Sequence, residues 1–493
     1  MTIDPASSES LDPTQPDAKR RIGSELSHHV GDIAIVLHSH MPYVEGFGTY
    51  PFGEEWLFDA VIRSHLPVLE VARDVTVTVT PVLADQLEAE GVAQRLLEFT
   101  REYRVGSAEL DIRDVEPDLR PACEAEAERY RSVLARLEAI GGNAIDAFAE
   151  AGDSGRVELV PSTATHAVVP LIATREARLL QIDAGLRSHR RRFGHSRGFW
   201  LPECAYEPGL EHLLAEFGIE HFCVDQSAHE SVPAALRPIA TDGPVAFPID
   251  WEAIRWLWAM DGYPSDEVYS DFHAKSLRGT HPWSIAGRPY DPLAATKRAR
   301  EQAHEFAAAV VERLGAHREL SGEPGLLTFA IDTELLGHWW WEGPTWLEEA
   351  LVALPASGVR PLTLSRALEE HEARRRPLQR SSWGESKDMR TWDSPPVADI
   401  AWGARGLELR LLREIASGRL HGPDLMRAAR ELLAVQASDW AFLDYGRQAG
   451  DYPLGRVLDH ARELFEVIDS GAGGRAAMRG LAPDMSPAPL LEP

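Results

Sequence analysis

The sequence predicts an α/β protein built on a parallel, barrel-like sheet, with a helical insertion and an all-helical C-terminal region. Three observations lead there. Short apolar runs alternate with helical stretches as far as Leu362. About seven such runs favour closure into a barrel over an open sheet. Beyond Ser381 the apolar residues recur only at helical three- and four-residue spacing.

Residues 1–28 are rich in Ser, Pro, Asp and Glu and lack the apolar centre of a signal peptide, so they are expected to be disordered and the chain to be cytoplasmic. Residues 33–37 form the first buried strand, ending at His38-Ser39-His40-Met41-Pro42, and residues 75–80 the second, stopped by Pro81. A helical insertion spans about 84–152, with Leu87, Leu96, Leu97 and Phe99 and then Tyr130, Val133, Leu134 and Leu137 at helical spacing. Residues 157–161 are a third strand, leading to His166. Residues 198–201 are a fourth, ended by Pro202, and deliver Glu203 to a strand's C-terminal end. In parallel α/β folds that rim is where catalytic groups gather. Residues 221–224 are a fifth strand; a long irregular stretch with Trp251, Trp256, Trp258 and Gly262-Tyr263-Pro264 follows, then a helix over about 294–314. A sixth strand, 326–331, ends at Asp332-Thr333-Glu334, and a helix near 347–354 with a short strand at 359–362 completes a unit of 29–375. Residues 380–470 read as a C-terminal helical domain and 471–493, with Gly, Ala and Pro throughout, as a disordered tail.

A chain of 493 residues exceeds one ordinary core. Its formal charge of -27 argues against nucleic acid or an anionic membrane as partner, and no run is long and apolar enough to span a bilayer. Cys123, Cys204 and Cys223 have neither the spacing of a zinc site nor that of a disulfide framework.

The strand ends hold His38, His40, His166, Glu203, and Asp332 with Glu334 and His338. Two acids on different strands are the minimum for glycoside chemistry, one as nucleophile and one to protonate the leaving oxygen. Trp200, Trp339, Trp340 and Trp341 flank them, and indoles stack on the apolar faces of sugars. Dry walls would also raise the pKa of the acid that must stay protonated. The His38-Ser39-His40 pair also fits a metal-dependent hydrolase, with Asp85, Asp332 or His166 as further donors.

His38-Ser39-His40-Met41-Pro42, Ala164-Thr165-His166, Trp200-Leu201-Pro202-Glu203-Cys204-Ala205-Tyr206 and Asp332-Thr333-Glu334-Leu335-Leu336-Gly337-His338-Trp339-Trp340 resemble, in order, the signature regions of glycoside hydrolase family 57. Within it they are most similar to the 1,4-α-glucan branching enzymes, as are Ser382-Trp383-Gly384 with Trp392 and Gln436-Ala437-Ser438-Asp439-Trp440. The resemblance implies a (β/α)7 barrel, an incomplete TIM-like barrel, and a metal-free retaining mechanism. Glu203 matches the nucleophile and Asp332 the general acid/base, with carboxyls roughly 5 to 5.5 Å apart. His38, His40, His166 and His338 match the donor-sugar subsite. Trp258, Trp383 and Trp392 match tryptophans shaping the groove, Trp339 and Trp340 of the last motif are expected to bind substrate, and Asp439 matches a substrate-contacting carboxylate. The implied partner is an α-glucan such as amylose or glycogen. Departures are Phe247-Pro248-Ile249-Asp250 in place of Phe-Gly-Arg-Asp, Ser265 in Gly262-Tyr263-Pro264-Ser265-Asp266, a single glycine after Trp383, and no tyrosine over 225–248. They keep an α-amylase or 4-α-glucanotransferase open as alternatives, with a metal-dependent carbohydrate deacetylase and a non-catalytic glucan-binding protein further off.

Overall fold

The computed structural model describes residues 29–45, 48, 52–229, 236–470 and 480–491. The lead-in expected over 1–28 and part of the loop expected to lack tyrosine lie outside them. Its centre is β1 (Gly31–Ser39), buried at every position, with β2 (Val75–Val79) and β8 (Leu326–Asp332) parallel on either side. β3 (Val157–Val160) pairs with β2. β4 (Gly198–Phe199), β5 (His221–Val224) and β7 (Val245–Pro248) form a second parallel group, with β6 (Ile239–Ala240) antiparallel to β7.

Two seams join the groups. The Trp200 N–H donates to the Pro161 carbonyl at 2.8 Å, linking β4 to β3, and the Asp250 N–H donates to the Thr328 carbonyl at 2.8 Å, linking β7 to β8. The closed order β1-β2-β3-β4-β5-β7-β8 is a barrel of seven parallel strands. Gly198 opens β4 because a Cβ there would lie 2.3 Å from the His221 ring.

The seventh barrel strand is not the one expected. β9 (Val359–Leu362) pairs only with the N-terminal half of β1, on the edge whose C-terminal half carries β2. Val245–Pro248, inside the stretch read as irregular, takes the place instead. It is only four residues long and ends in proline, which hides it among turn residues. Helices from Pro81–Leu87 to Ala144–Asp153 make up the insertion between β2 and β3.

Helices Ala398–Ala416, Gly422–Val435, Ser438–Tyr445 and Tyr452–Ser470 form the C-terminal bundle. Its core is continuous with Tyr43, Val82, Ala164, Leu180 and Ala184 of the barrel, so the bundle has no separate hydrophobic centre. The disordered tail is corrected in part: Leu481, Ala482, Met485 and Leu490 are buried in that core, and the Ala482 N–H donates to Asp85 at 2.7 Å. Among the described residues no helix is long and apolar enough to cross a membrane.

Candidate active site

The C-terminal ends of the strands converge on Glu203. It follows β4 and has φ of +60°, the left-handed region that non-glycine residues rarely adopt. Cys204 and His166 share this conformation, at φ +48° and +57°. Such strain persists where the surroundings fix it. Here the Trp383 N–H holds the Glu203 carbonyl at 2.7 Å, and the Cys204 N–H bonds the Leu201 carbonyl at 2.9 Å.

A chain of polar contacts reaches the carboxylate. His38 Nε2 meets His166 Nε2 at 3.0 Å, His166 Nδ1 meets Ser438 Oγ at 2.8 Å, and Ser438 Oγ meets Glu203 Oε1 at 3.1 Å. With Glu203 ionised, one direction satisfies all three: His38 donates to His166, His166 to Ser438, and Ser438 to Glu203. Burial drives both imidazoles well below their usual range, so they are neutral, and His38 Nδ1 has no hydrogen-bond partner among the described residues. His38 also stacks on Trp200 at 4.7 Å, and Trp383 meets Trp200 edge-on at 5.1 Å.

His40 stacks on His166 at 4.0 Å and bonds Asp439 Oδ1 through Nε2 at 2.8 Å and Thr80 Oγ1 through Nδ1 at 3.1 Å. Burial alone would lower its pKa, but the Asp439 carboxylate together with the Glu334 and Glu203 charges raises it, and the value lies above the usual one. Asp332, the last residue of β8, is in register with His38 across β1.

Both acids are raised. Burial, then the Asp332 and Asp439 charges, push Glu203 up to about 8, against His40 and the Ser438 hydroxyl. Burial, then Glu334, push Asp332 up to about 7. The pair therefore keeps a proton near neutral pH. Glu203 has the higher value, yet it alone is offered a donor: among the described residues no side-chain hydrogen bond reaches the Asp332 carboxyl. That asymmetry puts the charge on Glu203 and the proton on Asp332.

Not every expected residue joins this group. His338 lies beside Phe272 and Trp339, with ring centroids 5.5 and 4.9 Å away, and burial and the Arg63 guanidinium push it down to about 3. Trp339 is 47% exposed, and Trp258, ending the helix that starts from β7, is 50% exposed. Trp340 is corrected: at 1% exposure it packs on Tyr269 and Trp346 in the barrel core and cannot line a groove. Trp392, 3% exposed, backs Gly384, where a Cβ would lie 2.6 Å from its ring, and so supports the Trp383 loop from behind; it also lines a cavity shared with Gln436 and Ser438. Among the described residues no group of three or more His, Cys, Asp or Glu could hold a metal, and His38 spends its Nε2 on His166, which leaves the metal reading without a donor set.

Sequence reasoning missed two residues as site members. Ser438 stands beside Asp439 in the first turn of its helix, where serine reads as a cap. His65, which meets Glu334 Oε1 at 2.6 Å, lies in an apolar helical run that gives no signal.

Residues 34–378 match the family model for glycosyl hydrolase family 57, and residues 413–483 the model for the 1,4-alpha-glucan branching enzyme C-terminal region. The chain is 34% identical to a 1,4-alpha-glucan branching enzyme of Thermococcus kodakarensis, over 89% of this chain and 73% of that one. It is 33% identical to a probable 1,4-alpha-glucan branching enzyme of Mycobacterium tuberculosis, over 90% of this chain and 93% of that one. The crystal structure of a GH57-type branching enzyme from Pyrococcus horikoshii superposes with a TM-score of 0.86 at 31% identity, covering 94% of this chain and 97% of the other.

Proposed function

Since this chain belongs to glycosyl hydrolase family 57, we propose that it is a 1,4-α-glucan branching enzyme, cutting an α-1,4 bond and rebuilding it as an α-1,6 branch in glycogen or a related α-glucan. The observation that carries this reading is the Ser438–Glu203 contact. A region similar to branching-enzyme C-termini supplies a hydroxyl to the carboxylate at the barrel rim, so the second domain is part of the catalytic wall.

In this mechanism Asp332 protonates the glycosidic oxygen as Glu203 attacks C1, and a covalent glycosyl-enzyme forms with release of the chain's reducing end. Asp332, now a carboxylate, takes the proton of an acceptor 6-hydroxyl as that oxygen attacks C1 and frees Glu203. Two displacements retain the α configuration. Transfer requires that the acceptor reach C1 before water does, a task suited to Trp383, whose loop is tied to the rim by the Glu203 carbonyl and by Lys387 Nζ at 3.3 Å from Asp225. His38, His40, His166 and Asp439 are assigned to the donor sugar.

A hydrolytic α-amylase on the same site is the second reading, favoured by the absence of tyrosine over 225–248. Amylose separates the two. Branching removes iodine staining with few new reducing ends, and isoamylase then releases many. Staining lost in step with rising reducing ends would make the chain a hydrolase.

A further inference from the structure

The turn after β8 is clamped from two sides. Ser39 Oγ meets Thr333 Oγ1 at 2.9 Å, and the Ser64 hydroxyl donates to the Thr333 carbonyl at 2.7 Å. Glu334 Oε1 accepts the His40 N–H at 2.9 Å and meets His65 Nε2 at 2.6 Å. Ser64 and His65 both come from the π-helical turn Val61–His65, which interrupts the helix between Glu54–Ala60 and Leu66–Val71 and is buried at every position. π turns are rare and concentrate at functional sites. The Ser64 and His65 side chains of this one both bond the Asp332-Thr333-Glu334 turn, while its Arg63 meets His281 and Arg129.

A backbone N–H can only donate, and it shares Oε1 of Glu334 with the His65 ring, whose side chain is fully buried. These two contacts on one oxygen hold the Glu334 side chain in place, two residues from the acid whose protonation the first step requires.

We propose that Glu334 is a positioning residue for the general acid: its clamped negative charge keeps Asp332 protonated until the leaving oxygen takes the proton, and His65 holds that charge in place. The proposal rests on the reading of Asp332 as acid/base. The groups around Asp332 act as follows. His38, across β1, is neutral. His40, beyond the end of β1, opposes the effect, and Asp439 of the bundle binds His40. Glu203, beyond β4, is the other half of the pair, and Asp250, after β7, is tied to Arg313 at 2.7 Å. Glu334 adds to the Glu203 carboxylate as a charge that favours the proton on Asp332. Glu334 itself gives and takes no proton: Asp332 protonates the oxygen as C1–O breaks and C1–Oε of Glu203 forms.

The test is Glu334→Gln, which removes the charge and keeps the shape, assayed on amylose across pH and on α-maltosyl fluoride, whose fluoride departs with little need for an acid. On amylose the basic limb of kcat/KM is expected to move down by about one pH unit, as loss of a neighbouring buried charge does, with activity recovering at lower pH. First-turnover fluoride release is expected to be nearly unchanged. His65→Leu keeps the glutamate but removes the ring that holds it, so a shift in the same direction is expected; this variant serves if the first does not fold. An unmoved limb, with equal loss on both substrates, overturns the proposal. Asp332→Asn is the control. If it too loses amylose and fluoride activity equally, the acid/base reading itself fails; if only Asp332→Asn discriminates between the substrates, Glu334 alone is misassigned.

Discussion

Glu203 combines a left-handed backbone, a raised carboxyl and a hydroxyl donor from another domain. As the proposed nucleophile, its change to Gln is expected to lower turnover by more than about a thousandfold while glucan binding, measured by affinity electrophoresis, is kept. The same variant reads out the shared proton. Unfolded carboxyls ionise near about 4, whereas the folded Glu203–Asp332 pair keeps one proton toward neutral pH, carried on Asp332. Folding therefore takes up protons in that window, and stability falls as pH rises through it. The Tm of Glu203→Gln should match the wild type near about pH 4 and exceed it increasingly toward about pH 8. The two acids were legible in the sequence because each ends a strand inside a distinctive motif. The tryptophans were not: Trp340 in a core and Trp339 on a surface are adjacent letters of one motif, and only packing separates them.

At the scale of elements, the strands bounded by turn residues were legible, while β7 and the clamp on the Asp332 turn were not, because both depend on partners distant in the chain. Gly337 shows how tight that turn is. Its φ is +106°, and a Cβ would lie 2.0 Å from the Arg63 carbonyl in the middle of the π turn. Gly337→Ala is expected to cost about 2 kcal/mol or more, measured by denaturant unfolding, and to lower activity beyond the loss of folded protein because the Asp332 turn must shift. The loop carrying Trp383 has a different task. Trp383→Ala is expected to raise the share of reducing ends formed per bond cleaved on amylose by several-fold, since an exposed glycosyl-enzyme meets water first. An unchanged share would remove Trp383 from that role.

Across the whole molecule, the site exists only where the barrel rim and the helical bundle meet. The join is polar as well as apolar: Thr165 Oγ1 donates to the Leu433 carbonyl at 2.6 Å, Gln181 Nε2 donates to Gln436 Oε1 at 3.1 Å, and His40 pairs with Asp439. Asp439→Ala should cost about 1.5 to 3 kcal/mol where the pair is charged. His40 is raised when folded, so this stabilisation is complete below the usual histidine range and is lost as pH rises through the raised value. The Tm gap between Asp439→Ala and the wild type should accordingly narrow toward alkaline pH. A shared core explains why the sequence suggested two separable domains: each helix is amphipathic on its own, and what its apolar face covers is not written in its periodicity. The measurement that most directly tests the account is peptide mapping of Asp332→Asn after reaction with α-maltosyl fluoride. A maltosyl adduct on Glu203 is the expected result, trapped because the carboxylate that activates the acceptor is gone. An adduct on another residue, or no adduct together with first-formed β-maltose, would contradict a double displacement through Glu203.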